Sequence, residues 1–207
     1  MPLTIRIAKG SEDDPCLNKL KKQLAAVATT LGLDLSGKTI TLQYPDPKAD
    51  PETSPQLDPN TLARTDPVAN DGDAVTLTVA KSICDLPAHD LLMVLAHELD
   101  HVRRLTGDDG HVYRDLYFTY VAALLALDSA LKAKPRIDSD ISDATKKKKK
   151  AKKAALEQLK KEENDAFDFV KKNKDKLGLT DEDVEKNEHW REDETKGIDK
   201  LISQVGR

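Results

Sequence analysis

The chain reads as an α+β protein: a small β-sheet, a pair of apolar helices packed on it, and a charged helical appendage. Three observations predict this. Short runs with the alternation of strands occur at 3–7, 38–44 and 73–80. Apolar residues at helical spacing follow Pro15 and recur over 89–105 and 111–133. Beyond Pro135 large apolar residues thin out and charge dominates, so the 34% of charged residues is concentrated away from a core built from the 38% that are hydrophobic. The expected division is one domain over 1–135 and a lysine-rich helical appendage over 136–207.

Leu3 to Ile7 alternates and suits a short strand. Leu17, Leu20, Leu24, Val27 and Leu31 then fall on one face of a helix entered through Pro15, with Gly32 or Gly37 as its stop. Lys38 to Tyr44 has strand character. Residues 45–72 hold six of the ten prolines with many Asp and Asn, which predicts a long exposed loop. Asp73 to Ala80 is the third strand, with Val75, Leu77 and Val79 on one face. Leu86-Pro87 makes a turn, because the residue before proline avoids the helical region. A helix is expected from His89 to about Leu105, its buried stripe Leu92, Leu95, Leu99 and Val102. Thr106 to Gly110 breaks it, and a short break predicts an antiparallel neighbour over 111–133. Farther on, Thr180 to Asp183 is a capping signal for a last helix carrying Val184, Trp190, Ile198, Leu201 and Ile202.

Composition narrows the function. A net charge of −4 gives no overall pull toward nucleic acid. No apolar run approaches the roughly 18 residues of a membrane span, so no membrane partner is expected. The opening MPLTIRIAKGSEDDP lacks the apolar centre of a secretory signal. A cytoplasmic protein is therefore expected, with signal-less export left open. Cys16 and Cys84 form no CxxC pair, and in a cytoplasmic chain two buried free thiols are the expectation.

The sharpest chemical signal is His97-Glu98-Leu99-Asp100-His101 at the end of the apolar run 91–96. Residues four apart share a helix face, so both imidazoles can reach one ion, with Glu98 beside them to handle a water's proton. Such a site needs three protein ligands and one open position. Candidates for the third are His111, Asp115, Asp109 and Asp108. His111 is preferred, since it opens the next helix just after Gly110; Asp115 would then orient an imidazole. The competing bland reading is a solvated helix face with two ordinary histidines.

The order DAVTLTVA, a turn through Pro87, LLMVLAHELDHV, a short break and Asp109-Gly110-His111 resembles the SprT-like and related small gluzincin-type metallopeptidases, over about residues 73–125. The resemblance implies a zincin-like fold and zinc-dependent peptide-bond hydrolysis. His97, His101 and His111 would be the zinc ligands, Glu98 the general base, and a polypeptide the substrate. It also implies that the strand before the HExxH helix is a sheet edge that pairs with substrate. TGDDGHVY is similar to the HExxH-linked Gly-Thr-x-Asp pattern of the aspzincins; that alternative would make Asp109 a ligand, with Tyr113 or Tyr117 near the oxyanion. The other readings kept are a non-catalytic zinc-binding or scaffold protein and an exported effector or toxin of aspzincin type.

Seven lysines occupy eight positions at 146–153. They could contact phosphate, and SprT-like proteases are often associated with DNA. No aromatic residue interleaves with them, and the acids between Asp181 and Asp193 can neutralise them. Self-neutralisation is preferred to nucleic-acid binding through Lys146–Lys153. His189 and Trp190 are read as surface and packing residues.

Overall fold

The computed structural model describes residues 2–46, 57, 61–68, 71–106 and 143–205, with backbone alone for 143–149 and 151. The expected helix 111–133, and with it Asp108, Asp109, His111, Tyr113, Asp115 and Tyr117, lies outside the described residues.

The fold is α+β. Four strands, β1 (Thr4–Ile7), β2 (Thr39–Gln43), β3 (Ala63–Pro67) and β4 (Ala74–Val79), form one mixed sheet in the order β1-β2-β4-β3. β1, β2 and β4 run parallel, in register at Ile5↔Ile40 and Ile40↔Val75, while β3 is antiparallel to β4 with Thr65 opposite Leu77. The crossover between β1 and β2 is helix α1 (Pro15–Leu31). Asp14 caps it by accepting from the Leu17 amide at 2.9 Å, Pro15 fills the first turn, and Gly32 closes it at φ 69°.

A 3₁₀ turn (Lys81–Asp85) and Pro87 lead into α2 (Ala88–Leu105), the HExxH helix. Asp90 in its first turn and Arg103 and Arg104 in its last complement the helix dipole. α1 lies over β1 and β2, and α2 over β3 and β4. Leu20, Leu24, Ile40, Leu42, Val75, Leu77, Leu95 and Leu99 are wholly buried between them. Leu95, Leu99 and Val102 keep their place in the α2 stripe, whereas Leu92 is only partly covered and Met93 is buried instead.

The charged C-terminal segment forms α3 (Asp143–Lys172), a short α4 (Lys174–Leu177) and α5 (Asp181–Val205). α3 packs against both α2 and α5. Val170, Leu177 and Leu179 join the same core as the sheet. Thr180 and Asp183 form a reciprocal capping box: the Thr180 amide donates to Asp183 Oδ2 at 2.8 Å, and the Asp183 amide to Thr180 Oγ1 at 3.2 Å.

Three expectations need correction. Residues 45–72 are not loop throughout, because 63–67 pairs as β3 and buries Thr65 and Pro67. β4 is not a sheet edge: it is hydrogen-bonded on both sides, by β2 and β3, so its backbone has no free ladder to offer. The edges among the described strands are β1 and β3. Finally, Cys16 and Cys84 are not free thiols but a disulfide. The crossover through α1 brings the first turn of that helix beside the turn after β4, with the two Cα atoms 5.9 Å apart, inside the range a bridge requires.

Candidate metal centre

His97 and His101 sit one turn apart on α2 and face α3. Their Nε2 atoms are 3.0 Å apart. Glu163 of α3 meets both, its Oε2 lying 3.2 Å from His97 Nε2 and 3.6 Å from His101 Nε2. All three side chains are mostly covered, at 13%, 12% and 18% exposure. Glu163, Phe167 and Val170 recur at helical spacing, so one face of α3 supplies the carboxylate, a ring edge-on to His97 at 4.5 Å, and a buried core contact. That packing holds Glu163 against the imidazoles.

The electrostatics express the convergence. Burial would lower the pKa of His101, but the facing Glu163 carboxylate, with Glu98 and Asp100 nearby, pushes it up to about 9. Burial works against ionisation of Glu163, yet His101 and His97 hold its carboxyl well below the usual carboxylate range. A tetrahedral ion with bonds of about 2.0–2.1 Å keeps its ligands about 3.3 Å apart. The three observed separations, 3.0, 3.2 and 3.6 Å, straddle that edge length. The donor set therefore fits three positions of a four-coordinate ion, the fourth being unfilled among the described residues. His97 Nδ1 is buried with no hydrogen-bond partner among the described residues.

The Glu98 side chain reaches β3 of the sheet. It is 5% exposed, and its Oε2 accepts a hydrogen bond from Thr65 Oγ1 at 2.6 Å. Beside it on β3, Asp66 is hydrogen-bonded by Arg64 Nε at 2.9 Å. Burial raises the Asp66 carboxyl, Arg64 pulls against this, and the charge of Glu98 adds to it, leaving a pKa of about 6. Asp100, between the two histidines in sequence, is fully buried and paired with Arg103 and Arg104, each at 2.6 Å. It is a structural anion rather than part of the cluster.

Of the sequence candidates, His97 and His101 come together as the HExxH spacing requires, Glu98 turns instead to Thr65 of β3, and His111, Asp115, Asp109 and Asp108 lie outside the described residues. Sequence reading missed Glu163 and Thr65. Glu163 stands in a helix crowded with acids, where only the apolar Phe167 and Val170 at the same helical spacing mark its face. Thr65 sits in a short strand ending at Pro67, beside a proline-rich stretch.

His189 is exposed with Asp193 3.7 Å away, and Trp190 packs partly against the core under Lys186, as surface and packing residues would. No family model, curated protein or solved structure matches the chain.

Proposed function

We propose that His97, His101 and Glu163 hold a zinc ion and that the protein is a zincin-like metallopeptidase. The convergence of three Lewis-basic side chains beside a buried HExxH glutamate carries this reading. Two imidazoles and one carboxylate are a donor set used by catalytic zinc, which keeps a fourth position open. Zinc in such a site lowers the pKa of a water to about 7 and polarises a carbonyl. The residues do the rest. The α2 turn fixes both imidazoles on one face, and α3 brings Glu163 to them. Glu98 takes one proton from the attacking water and returns it to the departing amine, while the water's oxygen joins the carbonyl carbon as the C–N bond breaks. One water is consumed and one acid and one amine are formed.

The substrate class proposed is polypeptide. Antiparallel β3, an edge among the described strands and next to α2, is better placed than β4 to align an extended chain. In Lys146–Lys153, Lys150 and Lys153 are exposed and Lys153 has Glu157 3.7 Å away. No helix among the described residues is long and apolar enough to cross a membrane. The Cys16–Cys84 bond favours an oxidising compartment over the cytoplasm, and so supports the exported variant of the metallopeptidase reading.

The test is Glu98→Gln on zinc-loaded protein with denatured casein as substrate. Zinc content should stay near one per chain and cleavage should fall by at least a thousandfold. A wild-type protein that binds no zinc would overturn the proposal. So would a glutamine variant as active as the parent.

A further inference from the structure

We propose that Thr65 on β3 is a positioning residue for the general base, holding one oxygen of Glu98 so that the other faces the reacting water. The inference rests on the metallopeptidase reading above and adds to it a residue far from the motif in sequence.

Thr65 and Glu98 are each 5% exposed, so their 2.6 Å hydrogen bond lies where water does not compete. An ionised carboxylate only accepts, so Thr65 Oγ1 is the donor. Glu98 Oε2 is thereby occupied, and Oε1 takes no hydrogen bond among the described residues. A glutamate side chain has three torsions, and a base must lie within hydrogen-bond reach of the proton it removes. Fixing one oxygen removes most of the freedom that would let the other swing away.

The backbone shows how Thr65 comes to be there. β3 pairs antiparallel with β4, with Thr65 opposite Leu77 and Pro67 opposite Val75. Leu77 and Val75 are wholly buried in the core that α2 shares, so the register turns Thr65 to the α2 side of the sheet. A slip of one residue would turn Thr65 away from Glu98.

Four proteins test this: wild type, Glu98→Gln, Thr65→Val and Thr65→Ser, each assayed for zinc content, melting temperature, and kcat and KM on fluorescein-labelled casein. Thr65→Val keeps the shape and removes the donor. It should retain zinc, change KM less than twofold and lower kcat ten- to a hundredfold. Thr65→Ser restores the hydroxyl and should recover most of kcat. If valine unsettles β3 and zinc or folding is lost, Thr65→Ala against Thr65→Ser gives the same comparison without a β-branched apolar side chain. A zinc-loaded valine or alanine variant with wild-type kcat overturns the role of Thr65 and leaves the metallopeptidase reading standing. Wild-type protein that does not cleave casein, or Glu98→Gln that cleaves it normally, overturns that reading and this inference with it.

Discussion

Arg104 of α2 binds the Asp165 carboxylate of α3 through Nη1 at 2.8 Å, while its Nε binds the buried Asp100 at 2.6 Å. Asp165 stands two residues from Glu163. One cation therefore neutralises an anion inside α2 and fastens the helix that carries the third donor. Replacing Arg104 by Gln should loosen α3 at that point. We expect about 2 kcal/mol of lost stability, the scale for hydrogen bonds to charged groups, and about tenfold weaker zinc binding, the scale for outer partners of metal ligands. Denaturant unfolding of metal-free protein and zinc competition against a chromophoric chelator measure the two. Unchanged zinc affinity would detach Arg104 from the site.

The ligand set is separable by variants. Glu163→Ala should lose zinc at stoichiometric concentrations, because two imidazoles alone leave an under-coordinated ion. His111→Ala, measured in parallel, should keep it. Loss in both would mean four protein ligands and a closed site of the structural kind, which favours the non-catalytic zinc protein. Inductively coupled plasma analysis after dialysis is sufficient.

How much of this was legible from the residues differs by element. The strands at 4–7, 39–43 and 74–79, α1, α2 and the cap at Thr180 follow local rules of alternation, helical spacing and capping. β3 does not: Ala-Arg-Thr-Asp-Pro has no alternation of large apolar residues, and pairing with β4 makes it a strand. HExxH is a local pattern, so His97, Glu98 and His101 could be found by spacing alone. Glu163 and Thr65 reach them only through tertiary packing, and each is the kind of residue that is ordinarily on a surface. The disulfide was hidden for the same reason, since two cysteines carry no pairing information until a crossover places them side by side.

Asp66 should leave a signature in the pH dependence of stability. Burial pushes its carboxyl up to about 6 in the folded protein, against 3.8 for an aspartate in water. Between those values the folded state holds a proton that the unfolded state has released. Stability therefore falls as pH rises through this window, by about 3 kcal/mol in all. Asp66→Asn removes the titration while keeping an oxygen for Arg64. Urea denaturation of both metal-free proteins from pH 4 to 7 should show the wild type losing ground to the variant as pH increases. Two parallel curves would mean that Asp66 ionises normally.

The Cys16–Cys84 bond closes a loop with a sequence separation of 68 and ties the start of α1 to the turn that launches α2. Loop-closure entropy puts its stabilisation at about 4 kcal/mol, and native strain lowers such figures, so about 2–4 kcal/mol is expected. The double variant Cys16→Ser, Cys84→Ser should lose that much in denaturant unfolding, and reducing the wild type should reproduce the loss. Zinc binding should survive in folded protein, because the bond precedes the first turn of α2 while His97 and His101 lie in its later turns. The same bond bears on where the protein works. Cells quenched with an alkylating agent before lysis should yield chains with both cysteines protected from alkylation. Recovery of fully alkylated chains would place the working protein in a reducing compartment, and the cytoplasmic expectation would then replace the exported one.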